Sequence, residues 1–112
     1  MIVSSGPPPK FRPGQLVRHN RYGYRGVVVD IDPYCKAPDS WYQKNQTQPE
    51  RNQPWYHVLV DASSDITYAA QTSLAEADQF APITHPLVDV FFSAFEGEAY
   101  VRNDRPWPGT WQ

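Results

Sequence analysis

Two groups of side chains in this 112-residue chain have the types and spacing to bind a partner. The first lies in VRHNRYGYRGVVVDIDP, Val17 to Pro33, where Arg18, Arg21 and Arg25 stand among Tyr22 and Tyr24. Guanidinium groups hold phosphate oxygens and tyrosine rings stack on bases, so this set is a candidate nucleic-acid contact. The same arginines can instead meet an acidic protein surface, or pair with carboxylates of their own domain. The second group is aromatic: Trp41, Tyr42, Trp55, Tyr56 and Tyr68. Aromatic side chains lining a groove beside a β scaffold hold extended peptides, which makes this set a candidate partner-binding groove. Its competing role is structural, with Trp55 and Tyr68 in the core and Trp41 anchoring a loop.

Catalytic and metal chemistry find no constellation. Asp30 and Asp32 lie two apart, on one face of a strand, which suits a polar barrel edge better than a pair of acid–base carboxylates. His19, His57 and His85 are spread along the chain without Cys/His ligand spacing, so no metal site is expected. Cys35 has no identifiable base beside it, and one cysteine allows no internal disulfide. No glycine-rich phosphate loop of a known kind is present. The expectation is a binding protein with no catalytic residues and no cofactor.

The net charge of −2 hides an asymmetry. The first 29 residues carry five basic groups and no acid, and the remainder carries all twelve acids against five basic groups. Nucleic-acid binders usually show a basic excess over the whole domain; this chain has at most a basic patch on an acidic body. No apolar run approaches the roughly 20 residues of a membrane span. The N-terminus lacks the charged start and apolar stretch of a signal peptide, so a cytoplasmic protein is expected, with no membrane partner. Nothing in the sequence sets the oligomeric state.

Aromatics at 14% and twelve prolines argue for strands, loops and gripping surfaces around one small core. Gln15–His19 and Tyr24–Asp32 read as a hairpin around NRYG, with Gly23 at positive φ and Gly26 marking a bulge or a close backbone approach. Val27, Val29 and Ile31 fall on one face of the second strand. Residues 33–54 form a long polar loop with a helical turn near Pro38–Gln43; loops of about 20 residues are rare in compact domains and often functional. Trp55–Asp61 is apolar throughout, as a strand covered on both faces is, and Ile66–Ala70 returns beside it. A short closing strand is expected near Phe80. Leu87, Val90, Phe91, Ala94 and Phe95 make one helical stripe, so a helix is expected over about 86–95, started by Thr84 or His85 and stopped by Gly97. Residues 1–10 and 102–112 read as tails, the first flexible, the second rich in proline and tryptophan. The segment RPWPGTW within the second has the character of a polyproline-type ligand.

GQLVRHNRYGYRGVVVDIDP, QPWYHVLVD and TYAAQTSL, in that order, resemble the YccV-like or HspQ-like domain, also known as the hemimethylated DNA-binding domain. The tryptophan-bearing loop and the ending HPLVDVFFSAFEGEAY are similar to the version at the C-terminus of an F-box protein. The resemblance covers about 11–101. It implies a mainly β, SH3-like barrel of about five strands with one C-terminal α-helix, and no catalytic residues. For function it implies two alternatives. One is a protein-interaction or adaptor role in regulated proteolysis, with a protease or its substrates as partner. HspQ-type members are tied to the Lon protease, a chloroplast relative to Clp-protease delivery and the F-box relative to ubiquitin ligase. The other is binding of hemimethylated DNA, for which the basic hairpin is the candidate surface.

Overall fold

A computed structural model describes residues 7–109. Its centre is a five-stranded antiparallel sheet. The strands are β1 (Leu16–His19), β2 (Arg25–Asp32), β3 (Trp55–Val60), β4 (Ile66–Ala70) and β5 (Leu74–Glu76), in the spatial order β4-β3-β2-β1-β5. A 3₁₀ turn at Gln71–Ser73 joins β4 to β5, so the two ends of the sheet are one bent segment and the sheet curls into a small barrel. The mainly β fold and the strand count match the expectation from sequence. The closing strand, expected near Phe80, is Leu74–Glu76, paired with Val17–His19.

The apolar pattern explains the packing. All six residues of β3 are buried. One face of the sheet carries Leu16, Val27, Val29 and Leu59; the opposite face carries Val17, Val28, Tyr56 and Val58 around Phe11. Burying side chains of this size contributes roughly 1.5–3 kcal/mol each relative to exposure, which is what holds so short a sheet together. Gly26 is a close approach: a Cβ there would lie 2.5 Å from the Leu59 carbonyl oxygen. Gly23 takes φ 74° in the hairpin loop, as expected. A register shift between Val28 and Asp30, which the two-residue period does not foresee, swaps faces from that point. Ile31 packs with Val28's cluster, not with Val27 and Val29, and Asp30 faces His57 across the ladder.

The C-terminal helix is shorter than expected, and its extent is corrected. Of residues 86–95, only Val88–Phe91 is helical. Phe92–Glu96 (β6) and Ala99–Arg102 (β7) form a hairpin whose loop is Gly97 and Glu98, with Gly97 at φ 66°. Gly97 therefore turns a hairpin and does not stop a helix. The apolar spacing that suggests one helix also permits a helical turn followed by a strand, and so short a helix gets its stability from packing rather than from propensity. The unit covers the Leu16 face through Phe91, Phe92 and Tyr100. It is fastened to the main sheet by Tyr100 N–H donating to the Gly14 carbonyl and by Arg102 Nε donating to Val29 O at 2.8 Å.

The segments read as tails partly dock. Gln71 Nε2 donates to Pro8 O, and Lys10 N–H donates to the Gln71 side chain. Arg102 belongs to β7, and Trp107 packs on Phe91 and His57 with ring centroids 5.0 and 5.7 Å away. Residues 1–6 and 110–112 of those segments lie outside the described residues.

Candidate binding cleft

The β1–β2 hairpin loop and the long loop rise on either side of β4. His19 shapes the first wall. Its Nδ1 accepts the backbone N–H groups of Arg21 and Tyr22, both at 3.1 Å, and its ring stacks on Tyr22 and tilts against Tyr24. Burial, helped by the nearby Arg21 charge, holds the imidazole pKa below 6.5, which keeps Nδ1 available as an acceptor. Tyr24 reaches across to share a 2.7 Å hydrogen bond with the Thr67 hydroxyl on β4, and burial pushes its own phenol pKa up.

The second wall is the loop 33–54, built around α1 (Asp39–Gln43), the helical turn expected there. Arg51 organises it, donating to the carbonyls of Cys35 and Ala37 while its guanidinium lies 4.8 Å from the Tyr42 ring centroid. The Tyr42 hydroxyl faces the carbonyls of Gln48 and Pro49. These bonds point Trp41 at β4, where its ring meets Tyr68 edge-on at 5.7 Å and Trp55 at 6.2 Å.

Between the walls lies a cleft of about 280 Å³. His19, Tyr22 and Tyr24 line one side, Trp41 and Asn45 the other, and Ile66, Thr67 and Tyr68 the floor. A second, smaller section of about 60 Å³ shares His19, Tyr22, Asn45 and Tyr68 and runs on past Ala69 and Ala70 to Ser73. No carboxylate and no cationic side chain lines either section among the described residues.

Beneath the floor is a polar network that sequence reasoning missed. Asp32, 9% exposed, accepts hydrogen bonds from the Tyr68 hydroxyl at 2.6 Å and from His57 Nε2 at 3.2 Å, with Lys36 Nζ 4.0 Å away. Burial works to raise the Asp32 pKa, but the bonds from His57 and Tyr68 outweigh it and hold the carboxyl below its usual value. Burial and the bond to Asp32 push the Tyr68 phenol far up. A phenol held this way is a fixed donor and not a base or nucleophile. Asp30, Asp32 and His57 bring one ligand atom each within 4.8 Å of one another. His57 Nε2 is directed at Asp32, and Asp30 stands opposite His57 on the ladder. Period-two reading places Asp32 on the wrong face because it cannot see the shift between Val28 and Asp30, and His57 lies diagonal to Asp32 across β2 and β3. Cys35 is buried, and burial raises its thiol pKa, the opposite of the shift that activates a cysteine.

The candidate aromatic set therefore divides. Trp41 and Tyr68 line the cleft. Tyr42 lies in the adjoining loop and holds it. Tyr56, at 0% exposure, lies outside the cleft, and Trp55, at 1% exposure, lines the second section from beneath. Their strand is covered on both faces, Trp55 lies beneath the groove with its Nε1 donating to Glu50 O, and the Tyr56 hydroxyl accepts the N–H groups of Lys10 and Phe11. The basic set divides too. Tyr22, 55% exposed, and Tyr24 join the aromatic cleft. Arg25 is drawn into a clamp, with Asp61 at 3.0 Å and the carbonyls of Ala81 and Pro82. Arg18 meets Asp78 at 3.4 Å. Arg21 remains exposed, with its guanidinium 5.7 Å from the Tyr22 ring centroid. No helix among the described residues is long and apolar enough to cross a membrane.

Residues 9–99 match the family described as hemimethylated DNA-binding protein YccV-like. The chain is 36% identical over 93 residues, 80% of its length, to F-box only protein 21 of human and of the orangutan Pongo abelii, and the mouse protein matches to the same extent. It spans 15% of the length of each of these relatives. The matched residues include both walls of the cleft, β4 and the Asp32 network: the chain belongs to the YccV-like family.

Proposed function

We propose that this chain is a non-enzymatic protein-binding module that captures protein segments in its aromatic cleft and serves regulated proteolysis. The observation that carries the reading is the cleft itself, with Trp41, Tyr22 and Tyr68 around an uncharged, half-open space the size of a bulky side chain. Buried aromatic contacts of this kind are what concentrate binding energy at protein interfaces. The likeness to F-box only protein 21 supports the link to protein turnover, since F-box relatives are tied to ubiquitin ligase.

DNA binding is the second reading, favoured by the family description and by the exposed pair Arg21 and Tyr22 at the hairpin tip. Against it, Arg18 and Arg25 are engaged with carboxylates, so few charges are left for phosphates, and few contacts give weak, salt-sensitive affinity.

One experiment separates the two. The chain is used for affinity capture from native lysate, half of it treated with nuclease, beside Trp41→Ala and Arg21→Glu variants. The module reading expects a protease, a ligase component or their substrates, recovered equally after nuclease and weakened about tenfold or more by Trp41→Ala. Recovery that vanishes with nuclease and with Arg21→Glu, joined to retardation of hemimethylated duplex at physiological salt, establishes the DNA reading instead.

A further inference from the structure

We propose that the cleft holds its ligand as an added β-strand: an extended peptide with a bulky apolar residue and neighbouring Asp or Glu pairs with the outer edge of β4. This rests on the protein-binding reading and specifies how the ligand is held and which ligand it is.

Three observations meet at β4. It pairs with β3 and stands at the end of the sheet. The ladder bonds fix which backbone groups face outward. Val60 N–H donates to Asp65 O at one end, and Gln71 N–H donates to Pro54 O at the other. The alternation of an antiparallel pair then turns Thr67 and Ala69 toward β3, and turns the N–H and C=O of Ile66 and Ala70 away from it. The groove follows that outer edge. Its two sections together are lined by every residue from 66 to 70, whereas a strand seen from its face shows only alternate residues.

An outward edge is a template for another strand, and proteins ordinarily blunt such edges with lysine, proline or a bulge. β4 reads ITYAA and has none of these. It is flanked by Tyr22 and Trp41, which line the same cleft. Five strand residues extend about 16 Å, with Ile66 and Thr67 the open ones and Tyr68, Ala69 and Ala70 buried along the smaller section. With alternate side chains pointing to opposite faces, one enters the 280 Å³ section and meets aromatic rings on both sides. The charge preference comes from the wall tops. Arg21 and Lys44 are exposed immediately beside the lining residues Tyr22 and Asn45, and no carboxylate lines the groove among the described residues.

The test uses the full chain and a randomised library of displayed decapeptides, followed by synthesis of the enriched sequence. Enriched peptides are expected to carry a tryptophan, phenylalanine or large aliphatic residue beside Asp or Glu. N-methylating their backbone amides one at a time is expected to weaken binding about tenfold at alternate positions and little between them, the signature of strand pairing. Ala70→Pro removes an outward N–H while leaving the β3 ladder intact, and Ala70 already has φ −69°, close to the proline value. It is expected to weaken the peptide by a similar factor, with the unfolding midpoint measured alongside. Ile66→Lys, at a 37% exposed edge position, gives the same result without entering the core. Peptides that need Trp41 but show no alternation under N-methylation and bind Ile66→Lys normally overturn strand addition and leave the protein-binding reading in place. No enriched peptide, or displacement of every peptide by duplex DNA at physiological salt, overturns both.

Discussion

The two walls of the cleft present the same kind of side chain to β4 and are built by opposite means. The hairpin wall has five residues, 20–24, between two paired strands. One histidine nitrogen gathers its backbone N–H groups, and a glycine at positive φ turns it. The loop wall has 22 residues, 33–54, and five of them in a helical turn. Side chains hold it to its own carbonyls: Arg51 to Cys35 and Ala37, Tyr42 to Gln48 and Pro49. A wall made by the sheet inherits the stability of the whole core. A wall made by side-chain bonds opens locally when one of them is lost.

Gly26→Ala strikes at the first kind of construction and is expected to have the largest effect. The added Cβ meets the Leu59 carbonyl and Val58 Cγ1 at 2.5 and 2.6 Å, with backbone that cannot step aside. A loss of about 3 kcal/mol in urea denaturation is expected, felt by both walls together. An unchanged midpoint shows that β2 and β3 can separate at that point.

Arg51→Ala strikes at the second. Two carbonyls lose a charged donor, at a cost of about 1–3 kcal/mol. The expected outcome is local: faster tryptic cleavage after Lys44 and an altered Trp41 emission, with cleavage after Arg21 unaffected. Equal acceleration at both sites shows that the walls are one cooperative unit.

The smallest effect distinguishes the walls by pH. The His19 pKa in the folded chain lies below 6.5, so the unfolded chain takes up a proton first as the solution is acidified. The stability that neutral His19 contributes is complete above that value and declines as pH falls through it toward the folded pKa. A small loss of stability as the pH falls below 6.5 is expected, with resonance shifts at Arg21 and Tyr22. The loop wall contains no histidine and stays as it is. His19→Phe removes this part of the pH slope; a slope that survives it assigns the response to another group.

What could be read from the sequence was what neighbouring residues decide. NRYG announced a hairpin, Gly26 a close approach, and the unbroken WYHVLV a strand covered on both faces. Trp41, in an unusually long polar loop, was legible as a candidate lining residue, and it does line the cleft. Distant pairings were not legible. Arg25 resembled a free phosphate contact until Asp61, 36 positions on, engaged it. Tyr22 and Tyr24 were assigned to one surface and Trp41 to another, because only the curl of the sheet brings them together over Thr67. The extra residue near Val29 has no mark in VVVDID. FFSAFEG satisfies helical spacing and strand spacing alike, and the contacts of Phe92 and Tyr100 with the sheet decide between them.

The way the last hairpin is fastened sets the boundaries of any smaller piece that keeps this shape. Tyr100 bonds to Gly14, Ala99 bridges Gln15, and Trp107 lies on Phe91 and His57, so the far end of the polypeptide closes over residues near its beginning. An excised or transplanted version that halts before Trp107 would uncover greasy surface at Phe91 and His57 and invite self-association. Fusion partners therefore belong outside both Pro8 and Trp107.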